Sequence, residues 1–144
     1  MYLDTAAILK LYVHEPDSEA VVDAVSGRSL CSSWLATPEL FSALLAKERS
    51  GAISALIRGE AWSRWHQHVA LGQFQLIPIH NQVLHRAWGI MQQCHPHAPL
   101  RTLDAIHLAS FSELEDAGPL LTTDARMIAA ARHLGLEVLA LPQP

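Results

Sequence analysis

Leu103-Asp104-Ala105-Ile106-His107-Leu108-Ala109 and, a short way on, Leu120-Leu121-Thr122-Thr123-Asp124 are the two phrases on which the reading of this chain turns. The first plants an acid at the start of an otherwise apolar, strongly helical segment. The second is an apolar run that ends in hydroxyls and a carboxylate before another helix opens at Ala125. Both put a carboxylate at the amino end of a helix, where unpaired backbone N–H groups and the helix dipole favour negative charge. Together they predict an anionic pocket.

Outward from these phrases the chain reads as short strands alternating with helices. Tyr2-Leu3 predicts a strand, Asp4 an acid at its end, and Ala6 to Val13 a helix. Pro16-Asp17-Ser18 breaks and recaps the chain, and Val21, Val22 and Val25 make one face of a second helix ending at Gly27. Leu30 to Ser33 predicts a strand, after which Thr37-Pro38-Glu39 reads as N-cap, first helical residue and first-turn acid. A longer helix from about Ile53 to Leu71 carries Trp62, Trp65 and Val69 on one stripe. Phe74 to Ile79 predicts a further strand, with Pro78 placing it at an edge or a strand end. Asn81 is expected to cap a helix that turns Val83, Leu84, Ala87, Trp88 and Met91 inward, and Thr102 to cap the helix of Asp104. Ala125 to Leu134 forms a helix closed by Gly135, and Glu137 to Leu141 a last short strand ended by Pro142.

At 144 residues the chain fits one domain, 1–144, which buries roughly two thirds of its unfolded surface. Half of the residues are hydrophobic and 17% are charged, a globular composition. The net charge of −4 argues against an extended surface for nucleic-acid phosphates, which is usually basic. Met1-Tyr2-Leu3-Asp4 lacks the basic and apolar regions of a signal peptide, and no apolar run approaches membrane-spanning length. The expectation is a soluble cytoplasmic protein. Cys31 and Cys94 stand far apart in apolar contexts without metal spacing and read as buried thiols.

Alternating strands and helices imply right-handed crossovers and a mainly parallel sheet covered on both faces. Sites in such sheets form beyond the carboxyl ends of the strands. Asp4 and Asp124 directly follow apparent strands, Glu39 follows one after a short loop, and Asp104 has no obvious strand before it. Singly, each acid has a plain explanation as a strand end, an N-cap or a first-turn acid. Their joint placement on one rim has none. Converging carboxylates repel one another unless a cation sits among them, and hard oxygen donors without cysteine or histidine spacing select magnesium or manganese. Two divalent ions would offset four acids. Such a site suits phosphodiester hydrolysis, with one metal activating water and another stabilising the leaving oxygen. Thr5, Thr122 and Thr123 are placed to orient that water or a phosphate, or equally to satisfy donors at helix starts.

With these residues in view, the chain resembles the PIN-domain ribonucleases of the VapC type, toxins of type II toxin-antitoxin pairs. The likeness runs through Tyr2-Leu3-Asp4-Thr5, Pro38-Glu39-Leu40-Phe41-Ser42-Ala43-Leu44, Leu103 to Ala109, and Thr122-Thr123-Asp124 with Ala131 and Gly135-Leu136 behind it. The resemblance implies a three-layer α/β/α fold with a short, mainly parallel sheet flanked by helices. It also implies magnesium-dependent endonucleolytic cleavage of RNA, a homodimer, and inhibition by a cognate antitoxin. It carries the family's acidic quartet onto Asp4, Glu39, Asp104 and Asp124 and a hydroxyl position onto Thr122. Many relatives have serine or asparagine where this chain has Ala6, which removes one auxiliary polar contact.

In the expected mechanism Asp4, Asp104 and Asp124 hold the ions, and Glu39 helps bind a metal or positions the attacking water. His107, one turn from Asp104, reads as structural more readily than as a substrate contact. His66-Gln67-His68 and His95-Pro96-His97 lack partners at zinc-ligand spacing. The Trp62, Trp65, Val69 stripe reads as core, or, where exposed, as a groove for an antitoxin segment. Lys10, Lys47, Arg49, Arg101 and Arg126 are scattered cations near the rim. Two rivals come from other classes. A receiver-like phosphorylation domain would need paired acids after the first strand and a lysine near the last, and neither is in place. A non-catalytic partner-binding domain of the same fold would have lost acids, and all four are present.

Overall fold

Tyr2 and Leu3, both shut off from solvent, form the central strand on which the sheet is built. The computed structural model describes residues 1–139 and 141. Among them β1 (Tyr2–Leu3), β2 (Leu30–Ser33), β3 (Phe74–Ile77) and β4 (Leu120–Leu121) make one four-stranded sheet in the order β3-β2-β1-β4. Every pairing is parallel, with Tyr2 opposite Cys31 and Leu120, Leu3 opposite Leu121, and Leu30 to Ser33 opposite Phe74 to Ile77. Parallel strands need crossovers, and helices supply them: α1 (Thr5–Lys10), α2 (Ser18–Val25), α3 (Ala36–Arg49), α4 (Ala55–Ala70), α5 (Asn81–Cys94), α6 (Thr102–Ser112) and α7 (Ala125–His133).

The alternation of side chains along each strand sorts the core into two layers. Leu3, Leu121 and Phe74 point to one face, where they pack with Ala7 and Ile8 of α1, Leu40 and Leu44 of α3, and Trp65 of α4. Tyr2, Cys31 and Leu120 point to the other, against Val83 and Ala87 of α5, Ala105 and Leu108 of α6, and Met127 of α7. The expected α/β/α layering is thus present. The aromatic stripe of α4 belongs to the first layer: Trp65 is fully buried with its indole N–H on Thr37 Oγ1 at 3.3 Å, and Trp62 stacks on Phe41. Cys31 and Cys94 are buried free thiols. No helix among the described residues is long and apolar enough to cross a membrane.

Several boundaries and one face differ from the sequence reading. The backbone reaches helical geometry early at three starts, by two residues at α3 and by one at α5 and α6, so Leu35, His80 and Arg101 are the caps and Thr37, Asn81 and Thr102 lie inside. None of the three caps makes a side-chain bond to its helix. The Thr37 hydroxyl serves Trp65 instead. On α5 the inward stripe is Val83, Ala87, Ile90 and Cys94, and Met91 is half-buried at its margin. Leu84 and Trp88, expected inside, are 47% and 64% exposed. One residue along a helix rotates a side chain about 100°, so a stripe that includes Val83 and Ala87 turns Leu84 and Trp88 away from the core. β3 lies at an edge and ends before Pro78, as expected. Of the last expected strand, Val138 bridges Leu120 and the Leu139 N–H reaches the Leu120 carbonyl at 2.9 Å. Ala140 and Pro142 of that segment lie outside the described residues.

Leu44→Ala is therefore expected to cost about 2–5 kcal/mol of unfolding free energy, because it empties a closed part of the first layer. Leu84→Ala is expected to stay within about 0.5 kcal/mol of the parent chain. Denaturant titration of both variants checks the assignment of faces.

Candidate functional site

Three strand ends and one helix start converge at the carboxyl edge of the sheet. Asp4 follows β1 and caps α1: its Oδ1 accepts from the Ala7 N–H at 2.9 Å. β4 lies beside β1, so Thr122 at its end donates from Oγ1 to Asp4 Oδ2 at 2.6 Å across a sequence separation of 118 residues. The same Thr122 hydroxyl accepts from the Asp124 N–H at 3.1 Å. Asp124 caps α7, with Oδ1 on the Arg126 and Met127 N–H groups and Oδ2 on the Arg126 guanidinium at 3.2 Å. One hydroxyl thereby ties Asp4 to Asp124.

A second group forms where α1, α3 and α6 meet. Glu39 Oε2 accepts from Thr5 Oγ1 at 2.5 Å and stands 2.8 Å from His107 Nε2. His107 is 2% exposed, and its Nδ1 lies 2.9 Å from the Tyr2 hydroxyl. Because Thr5 follows Asp4 directly, the two groups are contiguous along the rim. Asp104, in the first turn of α6, completes the quartet, and its Oδ2 is buried with no hydrogen-bond partner among the described residues.

The electrostatics record the crowding. Burial pushes the Asp4 carboxyl above its ordinary range, and the charge of Asp124 adds to the rise, while bonds from Thr122 and Ala7 offset only part of it. Asp104 is raised as well, first by burial and then by the charge of Asp124, with Glu39 adding a smaller push. Glu39 and Asp124 go the other way. Burial alone would raise each, but hydrogen bonds from His107 and Thr5 lower Glu39, and Arg126 lowers Asp124. The four acids predicted from sequence are thus linked by charge in pairs, Asp4 with Asp124 and Asp104 with Asp124 and Glu39.

A divalent cation fits this donor set in character. All the donors are hard oxygens, and the bare Asp104 Oδ2 is the kind of atom a cation satisfies. Among the described residues no group of three or more His, Cys, Asp and Glu side chains is placed to hold a metal ion. Magnesium does not need three protein donors, since it is usually held through one or two carboxylates and keeps several waters. Closer approach of the acids is opposed by local bonds, because Thr122, His107 with Thr5, and Arg126 each hold one acid where it stands.

Other predicted residues fall differently. Thr5 and Thr122 spend their hydroxyls on carboxylates. Lys10 pairs with Glu15 at 2.7 Å and Asp17 at 2.6 Å, and Lys47 also pairs with Glu15, so both pin the loop after α1 to α3. Only Arg126 of the scattered cations engages a quartet acid. The histidines of the two candidate zinc phrases do not gather: His68 binds the Tyr12 hydroxyl at 2.8 Å, and His66 packs edge-on against Trp62. Sequence reasoning missed the polar role of Tyr2. A buried tyrosine ordinarily needs a partner for its hydroxyl, and that was the available signal.

This arrangement, a parallel sheet with an acid at the end of its central strand and three more on the same rim, defines a class. The PIN domain family model matches residues 1–134, and the chain belongs to that family. It is 39% identical over 142 residues to Ribonuclease VapC46 of Mycobacterium tuberculosis strain ATCC 25618 / H37Rv, covering 97% of this chain and 96% of that protein. It is 30% identical over 143 residues to Ribonuclease VapC35 of the CDC 1551 / Oshkosh strain, again covering 97% and 96%.

Asp104→Asn is expected to raise the thermal midpoint of the metal-free protein. A carboxyl whose folded-state pKa lies above its unfolded value takes up its proton first in the folded chain. The resulting penalty is absent below the unfolded value and grows as pH rises through the raised one. The stabilisation by Asp104→Asn should therefore grow as pH rises above the ordinary carboxylate range and fade toward about pH 4. Thermal unfolding at several pH values in chelator measures it.

Proposed function

We propose that this chain is a magnesium-dependent endoribonuclease, with manganese as a possible substitute ion, that acts as the toxin of a type II toxin-antitoxin pair in the cytoplasm. Its membership of the PIN family and its likeness to proteins named as VapC ribonucleases support the class of reaction. The single observation that carries the chemistry is the quartet on one rim with Asp104 Oδ2 left without a partner.

In this reading Asp4, Asp104 and Asp124 hold the cation, and Glu39 helps bind it or positions the attacking water. When bound, a divalent ion supplies charge neutralisation of the scissile phosphate and a more acidic water. The protein's own part is placement. Thr122 fixes Asp4 against Asp124, and Thr5 with His107 fixes Glu39, so the acids lose little freedom when substrate arrives. Arg126 sits exposed beside Asp124, at the height of the rim where a phosphate would approach. With a net charge of −4, binding through many phosphates is disfavoured, so a short RNA segment is the fitting substrate. Leu84, Trp88 and Leu103 leave apolar surface for a second copy of the chain or a cognate antitoxin.

Asp4→Asn is expected to lower magnesium-dependent RNA cleavage by at least about 100-fold, since even a group behind a metal ligand is commonly worth 10–100-fold. Chelation of the ion should do the same to the parent chain. Full cleavage by Asp4→Asn would remove the basis of the proposal. Growth arrest on expression, relieved by the same substitution, tests the toxin assignment.

A further inference from the structure

His107 is a buried titratable residue beside the quartet but not part of it. It sits on α6, one turn beyond Asp104, yet its ring turns inward with 2% of its surface exposed. That burial rules out direct contact with a polymer such as RNA. Its two nitrogens face different partners: Nδ1 meets the Tyr2 hydroxyl at 2.9 Å, and Nε2 meets Glu39 Oε2 at 2.8 Å.

The directions of these bonds follow from the partners. The Ser33 N–H donates to Tyr2 Oη at 3.2 Å, which occupies an acceptor site on that oxygen and leaves its proton free to point at His107. Burial raises the Tyr2 hydroxyl far above its ordinary range, so it stays a donor at every working pH. The Glu39 carboxylate is acceptor-only, so Nε2, 2.8 Å from Oε2, is the nitrogen that carries a proton toward it. The chain of donors therefore runs from the Ser33 backbone through Tyr2 and His107 to the Glu39 carboxylate. Thr5 donates to the same Oε2 at 2.5 Å, and its hydroxyl also lies 3.2 Å from Nε2.

Glu39 has need of such an arrangement. It enters from α3, a helix held chiefly by apolar contacts with the first layer, while the other three acids come from α1's cap, α6 and α7's cap. A glutamate side chain has three rotatable bonds, and an unrestrained one would spread over several rotamers. We propose that His107 is a positioning residue: oriented from behind by Tyr2, it donates from Nε2 to Glu39 and, with Thr5, aims that carboxylate at the rim where RNA is cut.

This deepens the nuclease reading and rests on it, so the test separates the two. The first measurement needs neither metal nor activity. In ¹⁵N-labelled protein near neutral pH the His107 ring is expected to show the Nε2–H tautomer, and Tyr2→Phe is expected to release that preference. A ring whose Nε2 carries no proton would overturn the proposal. The second measurement is a kinetic cycle under saturating magnesium. His107→Leu should lower kcat by about 10–100-fold with little change in KM, and His107→Gln, whose amide can still donate to Glu39, should recover most of the loss. In a Glu39→Gln background, His107→Leu should cost nothing more. An equal loss in both backgrounds would show that His107 acts elsewhere and would sink the proposal. Should His107→Leu fail to fold, Tyr2→Phe takes its place against Glu39→Gln in the same cycle. Failure of the parent reading looks different: Asp4→Asn would then cleave RNA normally, whatever the tautomer.

Discussion

Negative charge held together against its own repulsion is the constraint on which the rest of this structure depends. Two carboxylates a few ångströms apart near a protein surface repel by a few kcal/mol, and partial burial adds a desolvation cost. Asp4 and Asp104 carry the signs of both effects. At Asp4 and Asp104, where the charged form is disfavoured, a fold that served only its own stability would have put neutral residues. The layers beneath the rim must be firm enough to hold it, and they are. The fully buried pair Tyr2-Leu3 anchors the central strand, and Leu121 beside it brings the next strand end into register.

The ways in which the acids are tolerated are local and varied. Asp4 and Asp124 use the N–H groups of the helices they cap, which supply partial positive charge without a side chain. Thr122 spans two strands and serves both. Glu39 is held by donors from two other helices, and Asp124 by Arg126 in the next turn. Asp104 receives no such help at Oδ2. Among the described residues Asp104 Oδ2 is the buried side-chain polar atom left without a partner, and the imbalance there is of the sign that a cation corrects. Stability and function pull in opposite directions at these positions, as they commonly do where a site is strained.

Much of this was legible in the linear order. The β-α alternation, the parallel sheet, the edge position of β3 before Pro78 and the closure of α7 at Gly135 were all readable, because strand period, helix period and turn residues are local signals. So was the candidacy of the four acids, since a carboxylate after a strand or at a helix start is visible in one dimension. Less legible were the exact caps at Leu35, His80 and Arg101, whose side chains make no capping bond and so leave no residue-type signature. The inward face of α5 was misread because Leu84 and Trp88 are as apolar as the residues that do face in. Apolar character says that a side chain can be buried, not that it is.

What the sequence by itself determined, then, is the set of parts: a β-α alternation that admits a parallel sheet, and four carboxylates each at a place where a helix begins. What only the tertiary structure decided is which parts touch. The bond from Thr122 to Asp4 and the path from Tyr2 through His107 to Glu39 join residues more than 60 positions apart. No local pattern encodes such contacts, because they arise from the order of strands in the sheet and from the packing of α6 against its neighbours. The physical reason is that hydrogen bonds and charge interactions act over a few ångströms of space, whatever length of chain lies between their ends.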